Sequence, residues 1–284
     1  MSYISCQPVN VSISQHNTTM NTAASPAPAT GTYIPAATID EVIAQLEAVI
    51  DYCKKNNSRA GYFAMLYYCV TCRVKKGIVN NEFENGPRME RLDVLFAGRY
   101  LQAWHEWRTG VQPTASWAVA FKAVTEVPGI VLQHLLLGIN AHINLDLGIA
   151  TVETMKGQPL DGIEKDFNTI NALLGSMIGA TKACLTKINP LMYLLKLQKG
   201  NLDDLLVQFS IDEARKGAWA FAVLLSEKTG ADYNNCITAR DSKIAELANN
   251  IAYPDSGLLR FTVKIIRLFE SKNIEKNICS LDMK

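Results

Sequence analysis

The chain reads as all-α: a single multi-helix domain of about eight helices around a buried central helix. Three observations predict this. From Thr38 onward apolar residues recur at helical spacing. No alternating strand pattern is present, and the Asn85-Gly86 and Asp161-Gly162 pairs join helical stretches rather than β-branched runs. Finally, Val131 to Ala150, VLQHLLLGINAHINLDLGIA, is apolar nearly all round, as a helix enclosed on every side must be.

Taken in order, residues 1–37 are rich in Ser, Thr, Asn, Ala and Pro without apolar period, and are expected to form a disordered or loosely docked arm. The domain is expected over residues 38–272 and a frayed tail over 273–284. Thr38 is placed to cap a first helix to Lys55, and Ser58 a second that ends near Gly77. Asn85-Gly86-Pro87 breaks the chain before a third, Arg88 to Arg108. A fourth follows Pro113-Thr114 and stops before Pro128. The central helix is expected from Gly129 to Met155. After the loop KGQPLDG, another runs from Ile163 to Ile188, where Pro190 interrupts it and LMYLLKLQ forms a short successor. Helices Leu202 to Glu227 and Ile237 to Ala252 come next. Pro254-Asp255 opens the last, to Ser271.

At 284 residues and 48% apolar, the chain has enough material for one large core. A net charge of +1 gives no electrostatic argument for nucleic acid or an anionic membrane. No 18-residue apolar run is free of polar groups, so no membrane span is expected. MSYISCQPVN lacks a basic region followed by an apolar one, and the seven scattered cysteines suit reduced thiols, so a cytoplasmic setting is expected. Cys69-x-x-Cys72 is a lone pair inside a helical pattern and reads as core.

Chemistry concentrates on the central helix. His134, His142 and Asp146 fall along one flank, and Asn140 and Asn144, four apart, form another seam. Buried polar groups need partners, so these positions need a reason. The spacing of His142 and Asp146 places them one turn apart on one face, fit to grip a divalent metal such as zinc or iron. Equally, Asp146 would simply orient His142 in a satisfied core pair. His134 lies about 12 Å earlier along the axis, at ~1.5 Å per residue. Gly138 in mid-helix marks a close approach, by another helix or a ligand.

On the third helix Glu90 and Asp93 edge an apolar stripe. They would complete a metal shell or supply a general base, or else pair with Arg88 and Arg91 at the surface. A third group, Asp166, Asn168 and Asn171, lies near a helix start, where a carboxylate is favoured by the dipole. Arg215 is expected to be a solvated charge. No Gly-rich phosphate loop, H-E-x-x-H or G-x-S-x-G is present.

HLLLGINAHINLDLGIA, with MERLDVLFAGRYL upstream, resembles an uncharacterised bacterial all-helical family whose signature is G-x-N-A-H-I-N-x-D-L. The resemblance covers roughly Thr38 to Leu225 and implies an all-helical domain without a transferable activity. Gly138, His142 and Asp146 also resemble a short piece of the zinc-dependent phospholipase C and P1-nuclease superfamily. Those enzymes hold three metals with several more histidines and an N-terminal Trp. This chain has three histidines outside its arm, so one or two ions with a carboxylate-rich shell would be implied.

The expected function is a metal-dependent hydrolase of an ester or phosphoester. His142, Asp146 and Asp93 would hold the ion, with His134 and Glu90 as catalytic groups. Asn140, Asn144 and Arg99 would bind a small-molecule substrate. An oxidative or cyclising enzyme would use the same residues. The alternative is a non-enzymatic helical module binding an apolar small molecule or lipid.

Overall fold

The structure, a computed structural model, describes residues 31–193 and 211–283. Among these the architecture is all-helical, with ten helices and no strand. Helix α1 spans Ile39–Lys55, α2 Gly61–Val79, α3 Gly86–Thr109 and α4 Ala115–Glu126. The central α5 runs Val131–Thr154. After it come α6 Glu164–Ile188, α7 Ile211–Ser226, α8 Gly230–Ala252, α9 Gly257–Phe269 and α10 Ile274–Ser280.

Local chemistry sets the boundaries. Thr38 caps α1 by accepting from the Glu41 N–H. Ser58 does not cap α2, which starts three residues later at Gly61 without a side-chain cap. Asn85-Gly86-Pro87 starts α3 rather than preceding it. Asn85 accepts from the Arg88 N–H, and Pro87 sits in the first turn, where its missing N–H costs nothing. Helix α8 begins at Gly230, seven residues before the expected Ile237, on its own weakly apolar first turns. The short successor LMYLLKLQ and the expected start at Leu202 lie largely outside the described residues.

The C-terminal stretch expected to fray instead forms α10. Asn273 caps it, and Ile278 is fully buried. Ile278 seats on Gly61, where a Cβ would come within 2.5 Å of its Cδ1, so the absence of a side chain there lets α10 close on α2. One apolar cluster, which includes Leu46 and Cys53 of α1 and Tyr62 of α2, reaches Ile278 and the middle of α5.

Helix α5 packs against α2, α3, α4, α7 and α8, and α4 and α8 also pack on each other. By length and apolar composition it could cross a bilayer, but 89% of its apolar window is buried inside the protein. Its N-terminus is held by Glu270, whose two oxygens accept from the Val131 N–H at 3.1 Å. Gln133 accepts from the Ile130 N–H and donates to the Ile251 carbonyl of α8. Gly138 is explained by packing: a Cβ there would meet the Phe63 ring of α2 at 2.4 Å. From His142 to Asp146 the helix widens into a single π turn, with the Leu147 N–H bonding the His142 carbonyl. Such turns insert one residue into a helix and occur often at functional sites.

Candidate functional site

The π turn carries the pair singled out by spacing. His142 is 2% and Asp146 1% exposed. Asp146 accepts three hydrogen bonds: from Arg99 Nε on α3 at 2.8 Å, from Trp117 Nε1 on α4 at 2.8 Å, and from His142 Nδ1 at 3.3 Å. Burial opposes its charge, but the Arg99 guanidinium and these donors hold its carboxyl below the usual range. Because a carboxylate only accepts, the His142 proton sits on Nδ1 and Nε2 is left as a lone-pair acceptor. Burial, against the pull of Asp146, pushes the imidazole below its ordinary pKa, so it is neutral at pH 7.

Aromatic rings enclose His142. Phe96 stacks on it with centroids 3.5 Å apart, and Tyr67 meets it edge-on at 4.3 Å. Phe63, Trp117 and Tyr100 complete the wall at 5.6, 6.1 and 6.4 Å. Inside this wall His142 Nε2, Tyr67 Oη and Tyr100 Oη are buried without a partner, as are Thr71 Oγ1 and Asp93 Oδ2 nearby. The Tyr67 hydroxyl lies toward Thr71, one turn on, without a hydrogen bond of good geometry. Burial pushes Tyr67 up, and the charges of Asp93 and Asp146 add to that. Burial, reinforced by Glu90, raises Asp93 to about 8, so it is protonated at neutral pH. Several orphaned buried polar atoms in one place are a costly arrangement, of the kind that working sites hold.

The structure therefore brings together His142, Asp146 and Arg99, with Asp93 set beyond Tyr67. Arg99, expected to bind substrate, is committed to Asp146. Glu90 is not paired with Arg88 or Arg91. Its Oε1 accepts from the Ile39 N–H at the start of α1, and Arg88 goes to Asp166 and Glu84. Asn140 and Asn144 face α8. Asn144 donates to Asn140 Oδ1, and Asn140 donates to the Ile244 carbonyl, a closed seam between helices. Asp166 accepts from the Glu84 and Asn85 N–H groups and from Arg88, fastening the turn before α3. Arg215 is not solvated: it is 2% exposed, donates to the Phe167 carbonyl and lies over the Phe167 ring.

His134 stands apart. Both its nitrogens are buried without partners, and burial, with Arg59 and Arg267 nearby, lowers it to about 3. It lines a small crevice with Arg59, Phe63, Tyr100, Trp117 and Phe121, with free volume of about 20 Å³. That holds about one water. Three of its walls, Phe63, Tyr100 and Trp117, also touch His142.

Sequence reasoning missed Trp117 and the aromatic wall. The signal was present in spacing: Phe63, Tyr67 and Thr71 recur every four residues on α2, and Asp93, Phe96 and Tyr100 at three and four on α3. Polar groups inside an apolar stripe read as core until the helices are brought together.

Among the described residues no group of three or more His, Cys, Asp and Glu side chains converges as a metal ion needs. The chain matches the model of DUF5995, a family of unknown function, over residues 39–254. It belongs to that family. No curated protein and no solved structure matches it.

Proposed function

We propose that the protein is an acid–base hydrolase of a small, uncharged ester, with His142 as general base and Asp146 as the group that orients it. The observation that carries this reading is the lone Nε2 of a neutral, buried imidazole whose other nitrogen is pinned by an ionised carboxylate. Water at Nε2 would give its proton to His142 while its oxygen bonds the acyl carbon. The bond to the alcohol oxygen then breaks, and the proton passes from His142 to that oxygen. Tyr67 and protonated Asp93 are the neutral donors on hand for charge growing on the carbonyl oxygen. Access runs through the crevice and requires Phe63 to swing aside, since Phe63 borders both the crevice and His142.

The expected zinc or iron fits these residues poorly. Both Asp146 oxygens already accept hydrogen bonds, and no third ligand stands beside the pair among the described residues. The likeness to the phospholipase C and P1-nuclease superfamily rests on Gly138, His142 and Asp146, and Gly138 is accounted for by Phe63. An uncharged ester suits the aromatic wall better than a phosphoester, since Arg99 is already neutralised by Asp146. We read Gly138 to Leu147, GINAHINLDL, as the family's signature, because it spans the π turn and both of its polar seams.

Hydrolysis of short-chain nitrophenyl esters by the wild type and His142→Gln tests the proposal. A loss of about 10²-fold or more in the variant, with helicity unchanged, is expected. Full activity in the variant sinks it. The apolar walls of the crevice favour one second reading, a carrier of an apolar molecule. Saturable binding of an apolar dye by a wild type that turns over no ester supports the carrier instead.

A further inference from the structure

Helix α9 has two apolar faces. Leu259, Thr262 and Ile266 are buried, and Leu259 and Ile266 join Ile130, Leu191 and Met192 in a small cluster over the start of α5. A second stripe faces out: Leu258, Phe261, Leu268 and Phe269 are 52%, 60%, 72% and 65% exposed. With half-buried Ile265, these positions recur at three and four residues, which is one continuous line along a helix. Tyr253, just before the helix, is also exposed. The line is about 17 Å long at ~1.5 Å per residue.

Charge along this element is one-sided. Between Ser256 and Lys272 stand Arg260, Lys264, Arg267 and Lys272, against the single carboxylate Glu270. Glu270 is buried on the α5 N-terminus and pairs with Arg267 at 3.6 Å, so it offsets neither Arg260 nor Lys264. At ~100° per residue, Arg260 and Lys264 border the exposed stripe on the side away from the core. The order around the helix is thus core face, basic edge, exposed apolar stripe. That is the cross-section of a helix lying in the plane of a membrane surface, with cations at headgroup level and apolar side chains below. The net charge of the whole chain conceals this local excess. The family match stops at residue 254 and α9 begins at Gly257, so the element lies outside the stretch shared with the family.

We propose that α9 docks the protein on an anionic lipid surface, Leu258, Phe261, Leu268 and Phe269 entering the acyl boundary and Arg260 and Lys264 meeting the headgroups. The inference stands independently of the ester-hydrolase reading. Sedimentation of the full chain with phosphatidylcholine vesicles, with and without phosphatidylserine, tests it. Binding only to the anionic vesicles, weakening as salt rises, is expected. Two variants separate the contributions: Leu258→Ser with Phe261→Ser and Leu268→Ser, and Arg260→Glu with Lys264→Glu. All five side chains are exposed, so helicity should persist, and each variant should lose about tenfold or more in binding. Absence of binding to anionic vesicles, or binding by either variant as tight as that of the wild type, overturns the proposal. So does a wild-type dimer by light scattering that the triple variant converts to monomer, since the stripe would then belong to a second copy.

Discussion

Asp146 and Asp93 are both buried carboxylates whose charges reach the same phenol, Tyr67, and they end in opposite charge states. Asp146 accepts from Arg99, Trp117 and His142 and stays ionised. Asp93 has one oxygen without any partner, a neighbouring Glu90, and a carboxyl raised to about 8. Burial is common to both; the supply of donors is not. Enclosure alone therefore does not tell whether an acid in this core is a charge or a proton donor. Tyr67 thus stands within electrostatic reach of one of each.

The strongest way to break this contrast is Asp146→Ala. It leaves a half-buried guanidinium, a buried indole N–H and a buried imidazole without their acceptor, and should cost on the order of 3–5 kcal/mol in urea unfolding. A loss under about 1 kcal/mol would mean that Arg99 escapes to solvent and the site is looser than its geometry.

Asp93→Asn should act in the other direction, and through pH. The folded carboxyl titrates near 8 and the unfolded one near ~4. Below that lower value both states hold the proton and burial of the acid costs nothing extra. As pH climbs toward 8 the unfolded chain ionises and the folded one does not, so stability drains away. The variant should match the wild type at about pH 4 and below and exceed it by on the order of 1–3 kcal/mol at pH 8. A difference that is the same at both pH values would show that Asp93 is not held as the acid.

The smallest effect sharpens the account of Asp146. Trp117→Phe keeps the ring and removes one donor, and should cost on the order of 1–2 kcal/mol. The Asp146 carboxyl should titrate higher, readable as a carbon-13 shift of that carboxyl against pH. No change in either would leave Arg99 and His142 as the supports of the charge.

The fold was legible because helical period and cap chemistry are local. Thr38, Asn85 and Pro113-Thr114 mark real starts, and Gly138 marks a real close approach. The errors came where the deciding partner is distant in sequence. The segment after Lys272 looked like a tail because its apolar content is thin, yet Ile278 meets Gly61 across more than two hundred residues. At the site, the pairing of His142 with Asp146 could be read from spacing on one helix. The donors that fix it, Arg99 and Trp117, come from α3 and α4, and no pattern within either helix announces them. Glu90 and Asn140 were read as chemistry for the same reason: their true partners, the Ile39 N–H and the Ile244 carbonyl, are main-chain groups on other helices.

The widened turn in α5 has a bearing on how this helix tolerates change in length. A π turn holds one residue more than the hydrogen-bond ladder around it needs. Deleting one residue among Ile143, Asn144 and Leu145 would restore an ordinary ladder without shifting either flank of the helix against its neighbours. Elsewhere in α5 the same deletion would swing one half through ~100° and expose it. The position in α5 where shortening is cheap for folding is thus the one where it would bring His142 and Asp146 from four residues apart to three and turn one against the other by about 60°.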